Sequence, residues 1–176
     1  MQTKLSNSRY DVIVVGAGNA ALTAALSAHQ NGSRVLILEK APESLRGGNS
    51  RFSGALFRFS YDGIEDIKPL RPDVPQNEWE LIDVGHYDTD AYFQDMLRIT
   101  QGQTDKTLAR KLADESYPTM VWMAELGVQW DWTSLWSMAT GEGRRFNAGA
   151  VIQAKNKGVG LMDNLYSAMN RAGIDI

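Results

Sequence analysis

The sequence predicts an α/β fold built on a parallel sheet, followed by a mainly helical region. Three observations carry that expectation. Val12–Val15 is an unbroken β-branched run; Gly16, Gly18 and Ala21 come after it at the spacing G-x-G-x-x-A; and a second apolar stretch, Arg34–Leu38, ends on the acid Glu39.

Val12-Ile13-Val14-Val15 reads as a strand buried on both faces, the pattern of a parallel sheet covered by helices. Gly16 permits the tight turn out of the strand, and Gly18 lets the backbone approach a pyrophosphate with no Cβ between them. The small Ala21 brings the next helix close to the strand. Asn19–Asn31 is alanine-rich, with Leu22 and Leu26 on one face and Gly32 as its stop. Asn19, Ala20 and Ala21 open that helix, turning backbone N–H groups and the positive end of its dipole toward the phosphates. Glu39 lies 23 residues after Gly16, where an acid accepts hydrogen bonds from ribose hydroxyls and repels a 2′-phosphate. Strand, glycine turn, helix, strand and acid in this order predict a Rossmann-like dinucleotide site.

The residues after Glu39 bear on which dinucleotide is bound. A nicotinamide domain would continue with another helix and strand, but here the chain runs through KAPESLRGGNSRFSGALFRFS, a basic stretch rich in glycine and serine. Arg46, Gly47, Gly48, Asn49, Ser50, Arg51, Ser53 and Gly54 offer backbone N–H groups, hydroxyls and a guanidinium to a second part of an extended ligand. Arg51 and Arg58 read first as solvated or acid-paired side chains. His29, at the end of the first helix, and His86, in a polar loop, read as surface residues.

Composition excludes several classes. The chain has 176 residues, is 43% hydrophobic and carries a formal net charge of -3, with no Lys/Arg cluster of the kind that binds nucleic acid. No apolar stretch approaches the ~20 residues of a membrane-spanning helix, and the N-terminus lacks a secretory apolar segment, so a cytoplasmic protein is expected. Zero cysteines exclude disulfides, thiolate metal sites and a cysteinyl cofactor link, and two distant histidines point to no metal site.

Beyond residue 60 the pattern changes. Pro69, Pro72 and Pro75 among many acids predict an exposed excursion. Helices are expected over Asp90–Thr100, capped at Asp88 or Thr89, and over Asp105–Ser116, capped near Thr104. Pro118 is expected in the first turn of a further piece ending at Gly127, with Leu108, Leu112, Val121 and Leu126 as apolar contacts. Trp130, Trp132 and Trp136 sit in a glycine-interrupted stretch expected to be irregular, the tryptophans serving mainly as packing. Arg144 and Arg145 are candidates for a substrate carboxylate. Leu161, Leu165 and Met169 predict a last helix stopped by Gly173, before a strand at Ile174–Ile176. The expected organisation is residues 1–60 for the nucleotide unit and its loop, 61–150 for the proline-rich and helical insert, and 151–176 for the returning helix and strand.

Three blocks, VIVVGAGNAALTAALSA, VLILEKAP and RGGNSRFSGALFRF, together resemble the flavoprotein subunits of the fumarate reductase and succinate dehydrogenase family. Within it they are most similar to the soluble FAD-dependent tricarballylate dehydrogenases. The resemblance implies FAD, with Gly16, Gly18, Asn19, Ala20 and Ala21 along the pyrophosphate and Glu39, with Lys40 beside it, at the adenosine ribose. Arg46, Gly48, Asn49, Ser50, Ser53 and Gly54 are implied along the pyrophosphate, ribityl chain and flavin ring. Asn49 occupies the place of the histidine that carries flavin covalently in membrane-bound relatives, so non-covalent FAD is expected. Ala55 stands where many relatives have glycine. The implied reaction is dehydrogenation or reduction of a small di- or tricarboxylate, with an electron acceptor the sequence does not identify. The family's substrate-reading histidine and arginines come later than Ile176, so the chain is expected to be the N-terminal part of a longer enzyme, inactive alone and prone to self-association through its incomplete sheet. The rival readings are a nicotinamide-dependent dehydrogenase domain, and a nucleotide-binding module completed by a partner chain.

Overall fold

A computed structural model describes residues 9–133 and 137–176. The order is β1 (Val12–Val15), α1 (Asn19–Gln30), β2 (Val35–Leu38), α2 (Gly48–Phe52), β3 (Leu56–Phe57), α3 (Ile64–Ile67), β4 (Ile82–Asp83) and α4 (Thr89–Ile99). It continues with α5 (Lys106–Glu125), β5 (Trp130–Trp132), β6 (Ser137–Thr140), β7 (Gly143–Phe146), β8 (Ile152–Ala154) and α6 (Lys157–Ala172). The chain divides into two compact units, residues 9–53 with Asn156–Ile176, and Gly54–Lys155. The boundaries drawn from composition, at 60 and 150, both fall inside the second unit.

In the first unit β1 and β2 pair in parallel from Val12 opposite Val35 to Val15 opposite Leu38. The C-terminal segment joins them: Asp175 forms a parallel bridge to Leu36, and Ile37 N–H donates to the Asp175 carbonyl at 2.9 Å. One face of this sheet is covered by α1, which buries Leu22, Ala25 and Leu26, and α6 packs on α1 and α2 with Leu161, Leu165 and Met169 buried. The other face is open among the described residues, with Val15 82% and Ile13 58% exposed, so β1 is not buried on both sides as its sequence suggests. A β-branched run records that a strand suits a sheet, while the elements that cover it are a tertiary matter.

Two helices meet closely in this unit. Gly158, in the first turn of α6, donates its N–H to the Ser53 carbonyl at 3.0 Å, and a Cβ placed on it would come within 2.7 Å of the Arg51 carbonyl oxygen. The glycine-rich stretch after Glu39 is therefore not a simple loop. It contains a helical turn at Glu43–Leu45 and then α2, entered through Gly47 at φ 110, and α2 lies against α6.

The second unit departs from the sequence expectation in four places. The proline-rich excursion carries core: Tyr61, Ile67, Leu70, Val74, Trp79, Val84 and Tyr87 are buried. Its prolines start short 3₁₀ turns, at Lys68–Leu70 and after Pro75, which suits a residue with fixed φ and no N–H, and the turns carry Leu70 and Trp79 inward. The expected break at Pro118 is absent, since α5 runs through it as one helix capped by Asp105, whose carboxylate accepts from the Thr107 and Leu108 N–H groups. An interior proline costs about 3 kcal/mol. Burial of Ala113, Met120 and Met123 on one face offsets that cost, and Ser60 N–H donates to Ser116 Oγ on the same face. Leu108 and Leu112 point away from that face, 66% and 54% exposed, so they are not core contacts.

The tryptophan stretch is also more regular than expected. β5 and β3 flank β8 in one antiparallel sheet, and in a second, mixed sheet β7 lies between β4, parallel to it, and β6, antiparallel to it. Trp130 meets Phe57 edge-on at 5.2 Å, and Trp132 stacks on Phe146 at 5.0 Å, in keeping with their reading as packing residues. Trp136 lies outside the described residues.

These packings can be tested by their effect on stability. Gly158→Ala forces α6 away from the backbone of α2 and is expected to cost about 1–3 kcal/mol in denaturant unfolding. Ala55 is held at φ 46, a left-handed conformation that costs a non-glycine residue ~1–2 kcal/mol, partly cancelled by the lower unfolded-state entropy of alanine. Ala55→Gly is therefore expected to leave the unfolding free energy unchanged or raise it by up to about 1 kcal/mol.

Candidate cofactor-binding site

The C-terminal ends of β1 and β2 open into a cleft of about 720 Å³, whose lining includes Gly16, Gly18, Glu39, Lys40, Gly48 and Ile176. Gly16 takes φ 99, out of reach for most residues, and its N–H donates to the Leu38 carbonyl at 2.7 Å. At Gly18 a Cβ would meet Ser50 Oγ at 3.3 Å and the Gly47 carbonyl at 3.5 Å, so the glycine turn and the Gly47–Gly48 pair approach each other closely. α1 begins at this turn with neither an acidic residue in its first turn nor a side-chain cap from Gly18, leaving its positive end to an anion.

Three side chains from three segments hold the turn. Glu39 accepts from Ala41 N–H through Oε1 and from Ala17 N–H through Oε2, both at 2.8 Å. Those bonds, with Ala41 the stronger influence, hold its carboxyl below the ordinary value, against a smaller opposing effect of burial. Each carboxylate oxygen keeps further acceptor capacity for a ribose hydroxyl. Ser50 Oγ, on α2, accepts from Asn19 N–H at 3.0 Å. The Tyr166 hydroxyl, on α6, donates to the Ala17 carbonyl at 2.7 Å.

The remaining candidates are spread over several segments. Asn19, Ala20 and Ala21 form the first turn of α1 directly behind Gly18. Asn49 is exposed on α2, and Ser53, just after it, donates its hydroxyl to the Ser50 carbonyl. Gly54 belongs to the second unit. Arg46 turns away from the cleft: its guanidinium lies over the Tyr166 ring, 4.0 Å from the centroid, and pairs with Glu43 at 3.5 Å. Arg51 pairs with Asp163 at 3.2 Å, and Arg58 bonds Tyr87 and Asp95, as their reading as acid-paired residues expects. His29 is exposed, and His86 bonds the Asp62 carbonyl and Asp88. Arg144 and Arg145 are exposed on β7, with Arg145 paired to Asp83 at 3.2 Å. Tyr166 is the residue that sequence reasoning misses. It comes directly after Leu165 of the apolar stripe, and nothing in its spacing distinguishes a tethering tyrosine from a packing one.

The residues fit a dinucleotide. The side-chain Oδ1 of Asn19 is buried without a hydrogen-bond partner among the described residues, and an amide there can accept from a hydroxyl or, turned over, donate to a phosphate. Beside it stand the exposed dipole end of α1, a glycine that admits close backbone approach, and an acid at the strand end. Fold and site together define a Rossmann-like dinucleotide-binding domain.

Comparison with known proteins makes the class specific. The family described as FAD binding domain matches residues 11–176, and the chain belongs to it, within the FAD-dependent flavoproteins that include the fumarate reductases. It is 27% identical over 168 residues to the NADH:fumarate oxidoreductase of Klebsiella pneumoniae (strain 342), covering 95% of this chain and 16% of that protein. It is 30% identical over 142 residues to the vinyl phenol reductase of Lactiplantibacillus plantarum, covering 80% of this chain and 24% of the relative. Among solved structures, the open conformation of a flavocytochrome c3 fumarate reductase superposes with a TM-score of 0.63 at 25% identity, over 94% of this chain and 26% of that one. The chain thus spans a quarter or less of the length of these curated relatives.

Glu39→Gln leaves one oxygen where two are used, and is expected to weaken FAD binding about tenfold in a flavin-fluorescence titration. The pH dependence has a definite sign. Because the folded value is lowered from 4.5, the stabilisation from Glu39 is present above about 4.5 and lost as pH falls through the folded value. Denaturant unfolding of wild type at falling pH should show this loss, and in Glu39→Gln it should flatten.

Proposed function

We propose that the chain forms the FAD-binding part of an oxidoreductase that removes or adds hydrogen across a carbon–carbon bond of a small di- or tricarboxylate. The observation that carries this reading is the meeting of two backbone-rich segments in one cleft. The Gly16–Gly18 turn, with the dipole end of α1, and the Gly47–Gly48 pair that approaches it bring two successive backbone segments to an extended ligand, which suits a flavin dinucleotide better than a nicotinamide one. The relatives support the reaction class, two of them being named as reductases or oxidoreductases of fumarate and of a vinyl phenol.

Bound FAD supplies a hydride acceptor or donor at the flavin. The residues of this chain bind and orient it: the Gly18 N–H with the dipole of α1 faces the pyrophosphate, and Glu39 accepts from ribose hydroxyls with Lys40 beside it. Gly48, Asn49, Ser50 and Ser53 continue along the ligand. Asn49 has no side-chain nitrogen able to form the flavin bond a histidine forms, so the cofactor is held non-covalently. We assign the groups that read the carboxylates and move the substrate proton to the greater length that such enzymes have beyond the matched stretch. The electron acceptor is a separate partner, the location is cytoplasmic, and the open face of the β1–β2 sheet, with Val15 and Ile13 exposed, favours self-association.

Titration of the purified chain with FAD, with NADH as the parallel control, tests this reading. Saturable quenching by FAD alone is expected, with the flavin recovered in the supernatant after acid precipitation. Tight NADH binding without FAD binding would overturn the cofactor, and flavin retained on the precipitate would overturn the non-covalent link.

A further inference from the structure

The glycine turn presents three consecutive peptide units, and each is held from outside. The Gly16–Ala17 peptide is tied through its N–H to Glu39, the Gly18–Asn19 peptide through its N–H to Ser50, and the one between them through the Ala17 carbonyl to Tyr166. In a trans peptide the carbonyl and the following N–H point in nearly opposite directions within one plane. Holding the Ala17 carbonyl at 2.7 Å therefore fixes where the Gly18 N–H points, and it points away from Tyr166. Glycines on either side of Ala17 leave this plane with little intrinsic preference, since Gly16 already stands at φ 99.

Tyr166 is itself held. The Arg46 guanidinium covers its ring at 4.0 Å and is anchored to Glu43, and α6 buries the ring so that the residue is only 6% exposed. A ring clamped on its face keeps its O–H direction. We propose that Tyr166 is a positioning residue for the cofactor phosphates, and that Arg46 acts by bracing the Tyr166 ring rather than by touching the ligand. The chain runs from Arg46 to the Tyr166 hydroxyl, to the Ala17–Gly18 peptide, to the Gly18 N–H facing the pyrophosphate. This inference rests on the FAD reading of the same cleft.

The test uses the full chain and Tyr166→Phe, which removes one oxygen and keeps the ring. Affinities for FAD and ADP are expected to fall together by about five- to tenfold, while adenosine, lacking phosphates, keeps its affinity. Equal losses for all three ligands would show general loosening, and no loss for any would show that the tether is idle; either overturns the inference while leaving FAD binding intact. Failure of wild type to bind FAD removes the cofactor reading and this inference with it. A second measurement covers a variant that does not fold: in wild type labelled at the tyrosine ring, the Tyr166 hydroxyl proton should exchange slowly with solvent. Exchange as fast as that of an exposed tyrosine overturns the tether.

Discussion

A turn between a strand and a helix cannot satisfy its peptide groups by a hydrogen-bond ladder of its own, so other segments must supply their partners. That constraint organises the first unit. The Gly16–Asn19 turn lies between the end of a strand and the start of a helix, where neither element dictates its peptide planes. Glycine makes the geometry reachable and also leaves it loose, since the residue most able to adopt φ 99 loses the most freedom in being held there. The turn is specified by its surroundings: the Leu38 carbonyl, the Glu39 carboxylate, the Ser50 hydroxyl and the Tyr166 hydroxyl.

The rest of that unit delivers those groups. Parallel pairing of β1 with β2 sets Leu38 opposite Val15, which puts its carbonyl and the carboxylate of the next residue beside the turn. The close meeting of α2 and α6 at Gly158 places Ser50 on one side, while the apolar stripe of α6 seats Tyr166 on the other. Buried Leu22, Leu165 and Met169 thus matter to chemistry they never touch. A side chain added at Gly158 would strain a helix contact and, through it, the placement of the Ser50 hydroxyl on the glycine turn.

The second unit is organised differently. Its core is aromatic and irregularly wrapped, with Trp130, Trp132, Trp79 and Phe146 in ring contacts. It also buries a charge. Arg71, 6% exposed, is bidentate to Asp73 at 2.9 and 3.0 Å, lies 3.3 Å from Asp131 and stacks over Trp132. A buried guanidinium is tolerable only when it is paired: here Nε and Nη2 donate to Asp73, while Nη1 is met by the Asp131 charge without a hydrogen bond among the described residues. This network ties the proline-rich turns to β5.

Local signals were legible where one element decides the outcome. The strand at 12–15, the helix opening at Asn19, the acid at 39, the Asp88 cap and the Gly173 stop all depend on spacing, side-chain chemistry or a left-handed residue, and these act over a few residues. The sequence alone therefore determined the glycine turn, its helix and the expectation of FAD. Tertiary structure decided the rest: that α5 passes through Pro118, that Leu108 and Leu112 face outward, that one side of β1 is open, that Arg46 braces a ring and that Tyr166 reaches Ala17 across 149 residues. The physical reason is the same in each case. Burial and hydrogen bonding between distant segments outweigh a local preference of a few kcal/mol, and no local pattern records which distant partner will supply them.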